Sequence, residues 1–139
     1  MTERTRDAGR GSPDTSIRLY AQVLGVALLL IGVLGLLLGD GLLLDILNID
    51  IAEDLVHILT GGILAYVGFG RVDAGAARSV VLALGVVYLL VGILGFVVPM
   101  LFGLIPTGYT LFDNLLHLAL GVLSLVIALS GRGATAPRG

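Results

Sequence analysis

The sequence predicts an all-α integral membrane protein, a four-helix transmembrane bundle made of two parallel two-helix repeats with both termini in the cytoplasm. Three observations predict this fold. Apolar residue types make up 57% of the 139 residues and charged types only 13%, with a mean hydropathy of +1.06, whereas a soluble domain carries about 25% charged residues. Four segments are long and apolar enough to cross a bilayer as helices. The two halves of the chain also align with each other.

Two apolar halves are expected to lie between polar tails. The tails are rich in Gly, Ser, Thr, Pro and Arg and cannot bury an apolar face, so we expect them to be disordered. In order, the predicted organisation is a cytoplasmic tail at 1–17, repeat 1 at 18–70 with spans at 19–38 and 51–70, a cytoplasmic connection at 71–78, repeat 2 at 79–130 with spans at 79–98 and 111–130, and a cytoplasmic tail at 131–139.

The second and fourth spans need polar residues in their first turns. The first and third spans are runs of twenty residues that are almost wholly apolar, but only sixteen residues separate Asp54 from Arg71, and the fourth span is limited in the same way. At about 1.5 Å per residue, sixteen residues reach about 24 Å, which is short of a hydrocarbon core of about 30 Å. We therefore expect these two helices to begin near residues 51 and 111, where carboxylates complement the helix dipole.

An internal duplication is predicted from an ungapped alignment of the chain with itself. At an offset of 60 residues, His57 falls on His117, and four glycine pairs fall in the same register: Gly25 with Gly85, Gly32 with Gly92, Gly35 with Gly95, and Gly61 with Gly121. Each unit contains two crossings, so both copies would enter the membrane from the same side. An axis along the membrane normal would then relate them.

The orientation is predicted from the arginines, which are the chain's eight basic residues. All of them fall in the two tails, at the start of the first span or in the connection at 71–78, and none falls in the connections at 39–53 and 99–114. Both termini are therefore expected in the cytoplasm and the protein in the cytoplasmic membrane. The two outer connections are apolar, and we expect them to lie along the outer interface as short amphipathic or 3₁₀ segments, or to follow a shallow re-entrant course.

Glycines in the spans are expected to mark helix contacts, because small residues let membrane helices approach closely. The contacts would lie within one protomer or between protomers. The alternative is that the glycines act as hinges or line a substrate path, but the middles of the spans lack the charged and amide groups that such a path needs. The predicted packing residues are Gly25, Gly32, Gly35, Gly61, Gly85, Gly92, Gly95 and Gly121.

One duplicated polar pattern is a candidate for chemistry. It places His57 and His117 near the outer ends of the second and fourth spans, beside a polar cluster formed by Glu53, Asp54, Asp113 and Asn114. In the favoured interpretation, each His donates a hydrogen bond across helices to the neighbouring Asp or Asn, with Gly61 or Gly121 clearing space beside the ring. The alternatives are that both histidines bind a haem iron or, with carboxylates, a divalent metal, or that they handle protons.

The second copy of this pattern also carries a family resemblance. The connection Leu-Phe-Gly-Leu-Ile-Pro at 101–106 precedes Asn114, His117, Leu118 and Gly121, which form an Asn-x-x-His-Leu-x-x-Gly element. Over roughly residues 19–130 the chain resembles a prokaryotic family of small four-span membrane proteins, the domain of unknown function 4383 family. The first copy departs from the element, with Asp54 in place of Asn and Ile58 in place of Leu. The resemblance implies the fold and the membrane location and adds no activity.

The function expected from the sequence is that of a structural or interaction protein of the cytoplasmic membrane. It would act in the lipid bilayer as a homo-oligomer or as a subunit of a larger complex, without enzymatic activity or a bound cofactor. The absence of Cys excludes thiolate metal sites, and a net charge of −2 gives no basis for binding nucleic acid. The alternative is a haem-, metal- or quinone-binding redox protein that uses His57 and His117, and a proton-coupled carrier is the least favoured.

Overall fold

The computed structural model describes residues 13–44 and 46–130, in which four α-helices account for most of the chain. The elements are α1 at Pro13–Leu38, β1 at Gly41–Leu43, β2 at Leu47–Ile49, α2 at Ile51–Phe69, α3 at Ala74–Val97, a 3₁₀ turn at Leu101–Gly103 and α4 at Leu111–Ser130. All four α-helices are long and apolar enough to cross a membrane. At this level, the prediction of an all-α, multi-pass membrane protein is confirmed.

Two helices begin earlier than the sequence analysis expected. Helix α1 begins at Pro13, and Ile17, expected in a tail, is fully buried in the bundle. Helix α3 begins at Ala74, after Asp73 accepts a hydrogen bond of 2.9 Å from the backbone N–H of Ala76. Capping of this kind stabilises a helix start, so much of the predicted connection at 71–78 is helical. The remainder of the predicted tails, 1–12 and 131–139, lies outside the described residues.

The helices pack most extensively in two pairs, α1 with α2 and α3 with α4. Glycine backbones from both helices of a pair form each contact. A methyl group added at Gly61 would lie 2.7 Å from the backbone N of Leu29, and one added at Gly121 would lie 2.6 Å from the backbone N of Leu89. Real side chains do not tolerate such distances, so each pair depends on the missing Cβ atoms.

The two pairs are joined by an apolar core and by two hydrogen bonds between side chains. The core comprises Ile17, Ala21, Leu24, Leu28, Leu64, Val67, Ala77, Val81, Tyr88 and Ala128. Tyr20 of α1 shares a hydrogen bond of 2.7 Å with Ser124 of α4, and Thr60 of α2 shares one of 2.9 Å with Tyr88 of α3. Each bond pairs two hydroxyls among mostly apolar side chains, and the Thr60 hydroxyl also donates to the carbonyl of Val56 at 2.8 Å.

The first outer connection forms a β-hairpin and not the expected amphipathic or 3₁₀ segment. Strands β1 and β2 are antiparallel, with Leu42 opposite Asn48. The pairing satisfies backbone polar groups within the connection, which a segment at the edge of a bilayer requires. Thr110 donates a hydrogen bond of 2.7 Å to the carbonyl of Ile46, and Thr107 donates one of 2.9 Å to the carboxylate of Asp50. The hairpin is thus attached to the second outer connection.

The described arginines lie at the other end of the bundle. Arg18 donates to the carbonyls of Gly70 and Val72, which follow α2, and Arg78 donates a hydrogen bond of 2.9 Å to the carbonyl of Ala128 near the end of α4. Cations at these positions satisfy carbonyls at or just beyond the helix ends and complement the helix dipoles. The bundle therefore has a basic end, and an acidic end at the hairpin.

Candidate functional site

Helices α2 and α4 bring the two histidines together at the acidic end of the bundle. The rings of His57 and His117 have centroids 6.3 Å apart, and their planes are inclined by only 21°. His117 is 5% exposed, and His57 is partly buried. Each ring lies in the second turn of its helix, so the two reach the same depth in the bundle.

Glu53 lies close to both histidine rings. It lies four residues before His57 on α2, a spacing that places both side chains on one helix face. Its Oε1 atom is 3.6 Å from Nε2 of His117. Potential ligand atoms from Glu53, His57 and His117 all lie within 4.8 Å of one another. We refer to these three residues as the His–Glu cluster.

The hairpin holds Glu53 in place through Asn48. The Asn48 side-chain amide donates to Oε2 of Glu53 at 3.4 Å, and its backbone N–H donates to the carboxylate of Asp113 at 3.1 Å. Asp113 in turn accepts from the backbone N–H of Thr110 at 2.8 Å and donates its own N–H to the Thr110 hydroxyl at 3.2 Å. This reciprocal cap fixes the start of α4 and therefore the position of His117.

Two tyrosines surround His117. The Tyr88 ring is stacked with its centroid 5.7 Å away, and the Tyr109 ring approaches edge-on at 5.1 Å. Burial raises the pKa of the Tyr109 hydroxyl, and the carboxylates of Glu53 and Asp113 raise it further. The sequence analysis missed Asn48, Tyr88 and Tyr109 as site residues, since none of them belongs to the duplicated pattern.

Both histidines retain an unpartnered nitrogen. Within residues 13–44 and 46–130, Nδ1 of His57 and Nδ1 of His117 are buried without a hydrogen-bond partner. A buried polar atom without a partner costs about 1–3 kcal/mol, and no water is available in the apolar part of a bilayer to reduce that cost. The site therefore has binding capacity that the described residues do not use.

The expected pairing of each histidine with Asp54 or Asn114 is not found. Asp54 lies against Gly35 of α1, and Asn114 lies against Gly95 of α3, where an added methyl group would collide with each side chain. Successive helical residues leave the axis about 100° apart, so Asp54 points toward α1 while its neighbour Glu53 points toward the histidines. In the described part of the chain, Oδ2 of Asp54 and Oδ1 of Asn114 have no hydrogen-bond partner.

The glycines of the duplicated pattern also lie away from the rings. Gly61 contacts Leu29 and Gly121 contacts Leu89, so both belong to helix contacts and clear no space beside an imidazole. The other predicted packing glycines take the same kind of position. Gly25 and Gly32 lie against α2, and Gly85 and Gly92 lie against α4.

An apolar cavity of about 510 Å³ adjoins the His–Glu cluster. Its long walls are aliphatic side chains of α1 and α4, its outer wall is the hairpin, and the cluster lies at the hairpin end. The wall residues Ile31 and Leu116 are each about half exposed. The cavity is therefore not closed off by these two residues of α1 and α4.

Comparison with known proteins identifies no relative. No family model matches the chain, and neither the curated proteins nor the solved structures contain a match. The resemblance to the domain of unknown function 4383 family stays a prediction.

Proposed function

We propose that this protein binds a divalent transition-metal ion at the His–Glu cluster. The proposal rests on one observation, the convergence of potential ligand atoms from Glu53, His57 and His117 within 4.8 Å. Around a tetrahedral ion with bonds of about 2.1 Å, ligand atoms lie about 3.4 Å apart. The 3.6 Å between Glu53 and His117 is close to that spacing, and a small movement of the side chains would complete it.

The ligand types favour a first-row transition metal. Imidazole suits Zn²⁺ and Fe²⁺, whereas Ca²⁺ and Mg²⁺ prefer all-oxygen sites. Two His and one Glu form a common catalytic zinc set, and two His with one carboxylate hold non-haem iron. Because the described residues supply three protein ligands, the ion would keep an open position, and the adjoining cavity would give access to it.

The surroundings of the cluster support this proposal. Asn48 hydrogen-bonds the Glu53 carboxylate, as groups around a metal site orient its ligands. Metal binding would also engage histidine nitrogens that the bundle buries and would offset the charge of Glu53. A purely structural role, the function favoured by the sequence, does not require Glu53, His57 and His117 to converge.

We also propose the repeat, the orientation in the membrane, the family and the oligomeric state, which do not depend on the metal site. We infer two parallel repeats, because Gly32 lies against Ile58 as Gly92 lies against Leu118, sixty residues later. The arginines at one end support cytoplasmic termini in the cytoplasmic membrane. Membership of the domain of unknown function 4383 family and a homo-oligomeric or complexed state are proposals that rest on the sequence alone.

The first experiment measures metal content. Protein purified in detergent and dialysed against Zn²⁺ is expected to retain one ion per chain. Glu53→Gln, His57→Ala and His117→Ala should each lose it, and Asn48→Ala should weaken binding about 10–100-fold by freeing the Glu53 carboxylate. Asp54→Asn is the matched control, because Asp54 points toward α1. Equal retention by all of these variants would contradict the proposal.

A double-mutant cycle separates the metal from simple packing. With Zn²⁺ present, His57→Gln and His117→Gln should each lose nearly as much stability as the double variant, because either change removes the shared ion. Without metal, the losses should be smaller and closer to additive, because no shared ion then couples the two side chains. Near-additive losses of stability under both conditions would contradict a shared metal ion and support the structural role that the sequence favours for the histidines.

A further inference from the structure

We propose that the cavity beside the His–Glu cluster admits a neutral, bilayer-soluble amphiphile of the quinone and quinol class, with its headgroup at the cluster and its tail between α1 and α4. The proposal rests on the proposed function in one respect, since the headgroup oxygen would face the open side of the metal site. Size, access and charge support it.

The cavity has the size and lining of a small-molecule site. Its volume of about 510 Å³ lies within the range of about 300–1,000 Å³ for ligand pockets. Leu24, Ala27 and Leu120 are among the aliphatic residues of its walls, and the polar groups are concentrated at one end. A ligand that fits this distribution has an apolar body and a single polar head.

Access is from the lipid. Ile31 on α1 and Leu116 on α4 are 51% and 49% exposed on two helices that are apolar enough to cross a membrane, and the hairpin covers the outer end through Leu43 and Leu47. A water-soluble ligand would have to cross this cover. An amphiphile that already resides in the bilayer would enter sideways, with its chain replacing lipid against the two helices.

The carboxylates that line the cavity disfavour a phosphate headgroup. Glu53, Asp54 and Asp113 line the cavity, and among its described lining residues there is no Lys or Arg. A phospholipid headgroup would therefore face carboxylates without a cation to pair with. The described arginines that contact helix ends, Arg18 and Arg78, are at the opposite end of the bundle.

The polar atoms at the cluster match quinone and quinol oxygens. An imidazole N–H donates to a quinone carbonyl, and a carboxylate or an unprotonated imidazole nitrogen accepts from a quinol hydroxyl. Among the described residues, Nδ1 of His57 and Nδ1 of His117 are buried without partners. A metal ion bound by Glu53 would offset its charge, which favours a neutral headgroup over a cationic one.

The experiment measures binding of a decyl-substituted benzoquinone to the zinc-loaded protein. We expect saturable binding of one molecule per chain, measured from the quinone absorbance that co-migrates with the protein. Ala27→Phe should weaken it by about tenfold or more, because the new ring would occupy the cavity. Val26→Phe is the matched control, since Val26 is 41% exposed and does not line the cavity. Both variants should keep their zinc.

Each other outcome has a definite meaning. Equal binding to the Ala27 and Val26 variants would show partition into detergent and overturn the inference. Zinc retention without saturable quinone binding would overturn the inference and leave the proposed function intact. Quinone binding that depends on Ala27 in a protein that holds no metal would contradict the proposed function. It would still support the cavity as the quinone-binding site. Displacement of the quinone by phospholipid or by decylamine at equal concentration would overturn the choice of a neutral headgroup.

Discussion

Buried polar side chains in the described part of the protein are concentrated at the acidic end. Asn48, Asp50, Glu53, Asp54, Asp113, Asn114 and His117 are all less than 9% exposed. Some of them are satisfied by one another, as Asn48 is by Asp113. The unpartnered atoms belong to Asn48, Asp54, His57, Asn114 and His117. Because buried polar groups are normally paired, these atoms mark the place where a ligand would contribute most.

Tyr109 gives the site a measurable response to alkaline pH. Its pKa is raised by burial, so the folded state holds the phenolic proton more tightly than the unfolded chain does. The stability that this provides is fully present below the unfolded pKa, near 10, and is lost as the pH rises above it. In a denaturation series from pH 8 to 12, Tyr109→Phe should therefore lose less stability than the parent protein.

The control for this experiment is Tyr66→Phe, because Tyr66 is 70% exposed and lies outside the site. The chain has no Lys or Cys side chain that would titrate in the same range. If the loss of stability between pH 8 and 12 is unchanged in the Tyr109 variant, ionisation of this residue does not couple to folding.

At the scale of the elements, close helix pairs place the site residues. Glycine contacts fix α1 against α2 and α3 against α4, which sets how far each helix is rotated about its axis. The hairpin then adds Asn48, and Thr110 ties the hairpin to the start of α4. A change in a helix contact far from the histidines is therefore expected to alter their separation.

Gly61 and Gly62 provide a matched test of the helix contacts. A methyl group at Gly61 would meet the backbone of Leu29 at 2.7 Å, whereas one at Gly62 would meet no atom within 4 Å. We expect Gly61→Ala to destabilise the bundle by about 1–3 kcal/mol through overpacking. Gly62→Ala should be neutral or stabilise it by up to about 1 kcal/mol, because Ala favours the helix.

Unfolding in a denaturing detergent, followed by circular dichroism, measures both glycine variants. Equal stability of Gly61→Ala and Gly62→Ala would mean that the α1–α2 contact does not depend on the missing Cβ atom of Gly61.

At the scale of the whole molecule, the two ends of the bundle differ in charge. Arg18, Arg71 and Arg78 lie at the end where α2 connects to α3, and the carboxylates of the site lie at the other end. A positive end is retained on the cytoplasmic side during insertion. The site would then lie near the outer surface, where a metal ion could reach it without crossing the membrane.

This orientation can be tested with single cysteines, since the chain has none of its own. Leu44→Cys and Pro106→Cys, at exposed positions of the two outer connections, should react with a membrane-impermeant maleimide in intact cells. Gly75→Cys, at the start of α3, should react only after the cells are opened. Labelling of Gly75→Cys in intact cells would reverse the proposed topology and place the metal site on the inside.

Much of this molecule is determined by the sequence alone. A length of apolar chain that matches a bilayer specifies a helix, because a backbone in lipid must satisfy its own hydrogen bonds. Four such lengths therefore specify four helices, the paired glycines indicated where helices would make contact, and the paired histidines lie close together. These features are local, since each can be read within one helix or one turn.

Only the tertiary structure decided which polar groups meet. Glu53 and Asp54 are neighbours in sequence and both lie in the first turn of α2, but the rotation of that helix against α1 directs Glu53 toward His117 and Asp54 toward Gly35. Asn48 reaches the site through a hairpin that has no helical periodicity. The cavity exists because α1 and α4 pack less closely beside the cluster than the helices within each pair do. Such features depend on the angles between elements, which no single segment of the sequence encodes.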